Sequence, residues 1–197
     1  AVAGKFGIRG GVFSMSSSKA TAVDENNWIG AAEPDTRIVN MNHLGRALTE
    51  YTDPPVKMLF VYNCNPAVTL PHQNLVLEGL KRQDLFTVVF DQVMTDTARW
   101  ADLVLPATTF FEHYDIALSY GHGNLQLVQP VIEPVGDARP NTDVFSELAA
   151  RLGLDVDELL RTDMESVMHV AGTLPETVRE ELLTSGITTR PKPVQFV

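Results

Sequence analysis

The chain has 197 residues, of which 44% are hydrophobic and 20% charged, an ordinary balance for a globular protein. Its net charge of -10 argues against nucleic acid as the main partner, because phosphate backbones are bound by basic surfaces. The single cysteine, Cys64, excludes a disulfide framework and a cysteine cluster for zinc or iron–sulfur within this sequence. No apolar run approaches the roughly 20 residues that a membrane-spanning helix needs.

The first part of the chain predicts little regular structure. Residues 1–36 are rich in Gly and Ser with few periodic apolar residues, which indicates a loop-rich lead-in. The opening stretch lacks the apolar core of a signal peptide and reads like the interior of a longer protein, so we expect a fragment. Apolar residues then recur at helical spacing from Ile38 to Leu48, which predicts a helix.

Three continuous apolar runs are typical of strands that are buried on both faces of a sheet. They lie at 56–62, 85–90 and 102–105, and turn residues separate them from their neighbours. A helical pattern over 72–82 separates the first two, and the stretch TDTARWA predicts a short helix between the second and third. This alternation predicts an α/β fold, with a layered α/β/α arrangement around a mainly parallel sheet.

The second half of the chain is less regular. After a long polar loop, LQLVQ at 125–129 predicts a fourth strand. A Pro/Gly linker over 132–141 then leads into an amphipathic helix that Gly153 ends. The remainder predicts two short helices and a frayed end. We therefore expect one domain over 1–153 and a helical appendage over 154–197.

Polar residues stand where the three predicted parallel strands end. The ends carry NCNP at 63–66, Asp91, and PAT at 106–108. In open parallel sheets, ligands bind outside the carboxyl ends of the strands. These groups are therefore placed to hold a ligand by hydrogen bonds.

Each of these residues also has a purely structural interpretation. Asp91 can accept from ribose hydroxyls or from the N1–H and N2–H groups of guanine, or it can cap the helix predicted at 95. Asn63 and Asn65 suit a ligand or a turn. Thr95 is a ligand group only if a phosphate lies nearby and is otherwise a helix cap. Asp102 precedes its strand, so we expect it at the opposite edge of the sheet in a structural role.

The sequence motifs include no recognisable catalytic or metal-binding pattern. The five histidines show no metal-ligand spacing. The chain lacks GxGxxG after a strand, lacks GxxxxGK[ST], and has no serine in a nucleophile elbow. The sequence thus predicts a binding surface and no catalytic or metal-ligating residue.

Three stretches, taken together, resemble one enzyme family. They are MLFVYNCNP, VVFDQVMTDTARWADLVLPATTFFE and IEPVGDARPNTDVFSELAARLG. They resemble catalytic subunits of molybdopterin oxidoreductases of the dimethyl sulfoxide reductase type, which includes formate dehydrogenases and nitrate reductases. The match covers about residues 56–153, and GKFGIRGG resembles a glycine-rich passage upstream of it. The resemblance implies a Rossmann-like cofactor-binding domain of a larger enzyme.

The resemblance also implies a cofactor and its contacts. Family members carry molybdenum or tungsten in bis(molybdopterin guanine dinucleotide), and the matched region grips one guanine dinucleotide. The family's contacts fall here on Asn65, Asp91, Thr95, His113 and Asn141. The family often has Asp at the position of Asn141 and Lys at that of His113. Its metal ligand lies upstream of this region, so we expect this chain alone to be inactive.

Further expectations concern the full-length protein. The resemblance implies an iron–sulfur cluster in the upstream part, and as partners the remaining domains of the same subunit and an iron–sulfur electron-transfer subunit. We expect a cytoplasmic protein, with a periplasmic full-length protein as the alternative. Two other functions stay open, a stand-alone nucleotide-binding or regulatory module and a structural domain that no longer binds a ligand. A gene that continues upstream with metal-ligand and iron–sulfur motifs favours the enzyme.

Overall fold

The structure, a computed structural model, describes residue 9 and residues 36–118, 124–154 and 162–189. The chain divides into two compact units. The parallel-sheet unit comprises 32–109 and 132–144, and the antiparallel-sheet unit comprises 1–31, 110–131 and 145–197. The predicted lead-in lies almost wholly outside the described residues, as does the start of the first predicted tail helix. The domain boundary at 153 stays a prediction.

The parallel-sheet unit contains the three predicted strands. They are β1 (Met58–Tyr62), β2 (Phe86–Asp91) and β3 (Leu103–Pro106), in the order β1-β2-β3. Both pairings are parallel, which confirms the predicted α/β class. The helices of this unit are a 3₁₀ helix over Met41–His43, α1 (Leu44–Thr49), α2 (Pro66–Thr69), α3 (Gln73–Leu80) and a 3₁₀ helix over Ala98–Trp100.

The core of this unit lies among its helices and one face of its sheet. Alternate residues of β1 point to one face, and Leu59 packs with Leu48 of α1 and Val76 of α3. Where α1 and α3 meet, Gly79 has no side chain, and a Cβ there would lie 2.4 Å from the Cβ of Leu48. This glycine therefore sets how closely the two helices approach.

The antiparallel-sheet unit contains a second sheet. Its strands are β4 (Asp115–Leu118), β5 (Asn124–Val128) and β6 (Ile187–Thr189), in the order β4-β5-β6. The helix α4 (Asn141–Arg151) begins in the parallel-sheet unit and ends in this one. Two further helices, α5 (Asp163–Gly172) and α6 (Glu176–Ser185), follow it. Leu125 of β5 packs with Val178 and Leu182 of α6 to form this unit's core.

This second sheet corrects part of the prediction. The strand predicted at 125–129 is confirmed, but it pairs antiparallel with β4 and β6 and does not extend the parallel sheet. The predicted polar loop before it was wrong over 115–118, and the predicted frayed end was wrong over 187–189. Both missed strands have only three or four residues, too few to show alternation. Across the described ranges, no helix is long and apolar enough to cross a membrane.

Candidate functional site

The three parallel strands end side by side. Tyr62 is paired with Phe90, and Asp91 with Pro106, so the carboxyl ends of the strands meet at one edge of the sheet. The edge continues past β3, because Arg139 donates its backbone N–H to Pro106 and accepts from Thr108. We call this the carboxyl edge; it comprises the loops that follow β1, β2 and β3 together with residues 139–141.

Asn65 is held in this edge by its side chain. Its Oδ1 atom accepts from the hydroxyl of Thr97 at 2.6 Å and from the backbone N–H of Thr97 at 3.2 Å. Thr97 is fully buried, and its hydroxyl in turn accepts from the N–H of Ala67 at 3.0 Å. The loops after β1 and β2 are therefore joined through one asparagine amide.

Thr95 bonds to the start of the short helix that follows it. Its hydroxyl oxygen accepts from the N–H of Ala98 at 3.1 Å, and its carbonyl accepts from the N–H of Arg99 at 3.2 Å. The N-cap residue of this helix is Thr97, two residues later than predicted, although the Thr95 hydroxyl does bond to the first helical N–H. The hydroxyl keeps its own proton for a further bond, so Thr95 remains able to donate to a ligand.

Asp91 does not cap the short helix over Ala98–Trp100. Its Oδ1 atom accepts from the N–H of the next residue, Gln92, at 2.8 Å. Within the described part of the chain, its Oδ2 atom receives no hydrogen bond. Asp91 is half-buried, so the edge retains a carboxylate oxygen with capacity to accept.

Asn141 reaches the same edge from a distant part of the sequence. Its Nδ2 atom donates to the hydroxyl of Tyr62, the last residue of β1, at 3.2 Å. The ring of Tyr62 stacks on that of the fully buried Phe90, with ring centroids 6.2 Å apart. The start of α4 is therefore anchored at the end of β1.

His113 belongs to the other unit. It is half-buried and follows the buried Glu112, within the stretch 110–131 of the antiparallel-sheet unit. Of the five predicted contacts, the structure thus brings Asn65, Asp91, Thr95 and Asn141 to the parallel-sheet unit, while His113 lies outside it.

Asp102 has the structural role expected of it. Its carboxylate accepts from the N–H of Thr87 at 2.7 Å, and its own N–H donates to the carbonyl of Thr87 at 2.8 Å. These bonds join the starts of β2 and β3, at the edge opposite the candidate site. Among the described residues, Asp102 accepts a hydrogen bond from the backbone N–H of Thr87, whereas the Oδ2 atom of Asp91 remains available to accept one.

Two participants were missed from the sequence. Thr97 and Tyr62 position Asn65 and Asn141, but only folding shows these pairings, because the partners are 32 and 79 residues apart. The only sequence signal for Thr97 is that it lies in the stretch TDTARWAD, which is part of the family resemblance.

The arrangement supports binding by hydrogen bonds. The carboxyl edge supplies a carboxylate acceptor, a hydroxyl and two amides. Among the described residues, no group of three His, Cys, Asp or Glu side chains is arranged to hold a metal ion. Cys64 is free and half-buried in the same loop as Asn65.

Comparison with known families gives this edge its context. The family model for molybdopterin oxidoreductases matches residues 3–151, well over half of the chain. The chain belongs to the molybdopterin oxidoreductase family. The family predicted from the sequence is therefore confirmed.

Curated molybdopterin oxidoreductase relatives are much longer than this chain. "Probable oxidoreductase YoaE" of Bacillus subtilis is 53% identical over 127 residues, which are 64% of this chain and 18% of the relative. The dimethyl sulfoxide/trimethylamine N-oxide reductase of Rhodobacter capsulatus is 32% identical over 137 residues, 64% of this chain and 16% of the relative. The chain thus spans less than a fifth of each.

A solved structure supports the same fold. Acetylene hydratase from Pelobacter acetylenicus aligns with a TM-score of 0.62 at 28% identity, covering 81% of this chain and 22% of that one. The carboxyl edge therefore lies in a molybdopterin-family fold of which this chain represents a part.

Proposed function

We propose that this chain is the part of a molybdenum or tungsten oxidoreductase catalytic subunit that binds the guanine dinucleotide portion of bis(molybdopterin guanine dinucleotide). The observation that carries the proposal is the carboxyl edge, where Asn65, Asp91, Thr95 and Asn141 gather in a chain of this family. Ligands of parallel α/β sheets bind at such an edge.

The polar groups of the edge fit a guanosine. Guanine offers donors at N1 and N2 and acceptors at O6 and N7, and ribose offers hydroxyls. The Oδ2 atom of Asp91 has two lone pairs and can accept from two such donors. The Nδ2 atom of Asn65 and the hydroxyl of Thr95 can donate to acceptors. His113, from the antiparallel-sheet unit, is proposed as an additional contact.

This chain's share of the activity is to hold and orient the cofactor. When bound, the metal held by the pterin dithiolenes supplies the redox chemistry. Asp91 and Asn65 would fix the nucleotide end by directional hydrogen bonds, which restricts rotation of the whole cofactor.

The rest of the enzyme is proposed to lie in sequence outside this chain. It comprises the remaining domains of the subunit, with the metal ligand and an iron–sulfur cluster, and an iron–sulfur subunit as electron partner. We propose a cytoplasmic location, with the periplasm as the alternative. We propose that the remaining domains determine the substrate class.

Cofactor analysis of the full-length protein tests the proposal. The purified protein is hydrolysed in acid, the released GMP is quantified by chromatography, and molybdenum and tungsten are measured by mass spectrometry. We expect about two GMP molecules per metal ion, as the composition of the cofactor requires. Metal without GMP would show a pterin that lacks the nucleotide. A full-length protein with neither would favour the module without redox chemistry.

A further inference from the structure

Thr97 contacts Asn65 in a way that fixes the polarity of the amide. The backbone N–H of Thr97 can only donate, so the Asn65 atom 3.2 Å from it has to be the oxygen. The hydroxyl of Thr97 accepts from the N–H of Ala67, and its single proton is thus directed to the same oxygen. A flipped amide would place its Nδ2 group against the backbone N–H of Thr97, donor against donor.

We propose that Thr97 is a positioning residue that holds the Asn65 amide so that only its Nδ2 group is available to the ligand. An amide oxygen has two lone pairs, and Thr97 occupies both. Within the described residues, Nδ2 donates to no group. The ligand atom at Asn65 is therefore an acceptor, such as a guanine carbonyl or a phosphate oxygen. This inference rests on the proposed function.

The backbone hydrogen bonds around Asn65 show that the two bonds from Thr97 to the Asn65 amide do more than support α2. The carbonyl of Asn65 already accepts from the N–H groups of Val68 and Thr69, and the hydroxyl of Thr69 also bonds to it. The side chain of Asn65 makes no capping bond to α2. The turn is thus held without the amide, and the Thr97 bonds chiefly determine how the amide is oriented.

A double-mutant cycle of GDP affinity distinguishes a Thr97 that positions the Asn65 amide from a Thr97 that only supports the fold. GDP is titrated calorimetrically into full-length protein prepared without cofactor, for wild type, Thr97→Val, Asn65→Ala and the double variant, below their unfolding temperatures. We expect Asn65→Ala to weaken GDP binding roughly tenfold, as for loss of one hydrogen bond. Thr97→Val should weaken it by a smaller factor, because the backbone N–H of residue 97 still donates to the amide oxygen. The double variant should bind like Asn65→Ala, because Thr97 acts through the amide. Thr97→Ser, which keeps the hydroxyl, should bind like wild type.

Two results would overturn the inference. Thr97→Val could bind GDP like wild type, or it could weaken binding as much in the Asn65→Ala background as in wild type, which would show a general structural effect. If Thr97→Val does not fold, Asn65→Asp serves in its place. It keeps an oxygen for Thr97 but replaces the donor, so roughly tenfold weaker binding is expected and unchanged binding would refute the inference.

The same experiment distinguishes the two proposals. Wild-type protein that binds no GDP contradicts the proposed function, and this inference fails with it. Wild-type protein that binds GDP while the variants bind equally well contradicts the inference alone.

Discussion

The side-chain amide of Asn141 donates to the hydroxyl of Tyr62 across 79 residues of sequence, at 3.2 Å. This bond fastens the first residue of α4 to the last residue of β1. It is thus one of the contacts that bring residues 132–144 to a sheet whose strands end at Pro106.

A double-mutant cycle measures this bond. We expect Asn141→Ala and Tyr62→Phe each to lower the free energy of unfolding by roughly 0.5–1.5 kcal/mol, as for a typical hydrogen bond. The two effects should not add, because each variant removes the same bond. Asn141→Asp should stay close to wild type, since Tyr62 can donate to the carboxylate. Urea unfolding of the four proteins checks this, and fully additive effects would show that the pair does not interact.

Asp91 is the residue whose substitution should most affect cofactor retention. A carboxylate can accept two hydrogen bonds from guanosine, each contributing roughly 1.5–3 kcal/mol before solvent weakens it. Asp91→Asn replaces one acceptor with a donor, so we expect a large loss of molybdenum or tungsten and of GMP from the purified full-length protein. The fold should persist, because an amide oxygen still accepts from Gln92.

Asp96→Asn is the matched control for this change. Asp96 is an exposed acid in the loop after β2, five residues beyond the strand end. Its substitution should leave the metal and GMP content unchanged. A normal metal and GMP content in Asp91→Asn would mean that the Asp91 side chain serves only to accept the hydrogen bond from Gln92.

The sequence showed the strands and the strand-end acid but not the pairing of side chains. The runs around Val61 and Val89 are predictable because buried parallel strands are continuously apolar. Asp91 follows from its position after such a run. The bonds to Thr97 and Tyr62 do not, because the polar residues of loops are equally compatible with turns and their partners are set by tertiary folding.

Gly79 should tolerate no side chain. A Cβ at this position would lie 2.4 Å from the Cβ of Leu48, which α1 holds in place, so a helix has to move. We expect Gly79→Ala to lower the free energy of unfolding by roughly 1–3 kcal/mol, as for other overpacked cores. Gly172→Ala, where a Cβ would meet nothing within 4 Å, should be neutral or slightly stabilising. Equal stability of Gly79→Ala and wild type in urea would contradict this packing.

Asp84 should remain ionised at unusually low pH. Hydrogen bonds from Arg82, and then from Lys57, hold the pKa of this carboxyl well below its ordinary range. Because the folded-state pKa is below the unfolded one, the stabilisation is complete above about pH 4 and is lost as the pH falls through the lower, folded-state pKa. The pair is exposed, so salt should weaken the effect.

An NMR titration of the Asp84 carboxyl carbon checks the direction. The midpoint should lie below that of an ordinary aspartate, about 3.9. Arg82→Met should raise the pKa of Asp84 more than Lys57→Met does, because the Arg82 hydrogen bonds are the larger cause. An ordinary midpoint in the unaltered chain would show that these ion pairs do not persist in solution.

The split composition of the parallel-sheet unit has a consequence for synthesis on the ribosome. Its strands end by residue 106, yet Arg139 and Asn141 complete the carboxyl edge after the chain has passed through 110–131. Domains fold as units in the order in which the ribosome releases them. The sheet can therefore form on the nascent chain before the carboxyl edge is complete, and the proposed nucleotide contacts of this unit should all be present only after residue 141 has emerged.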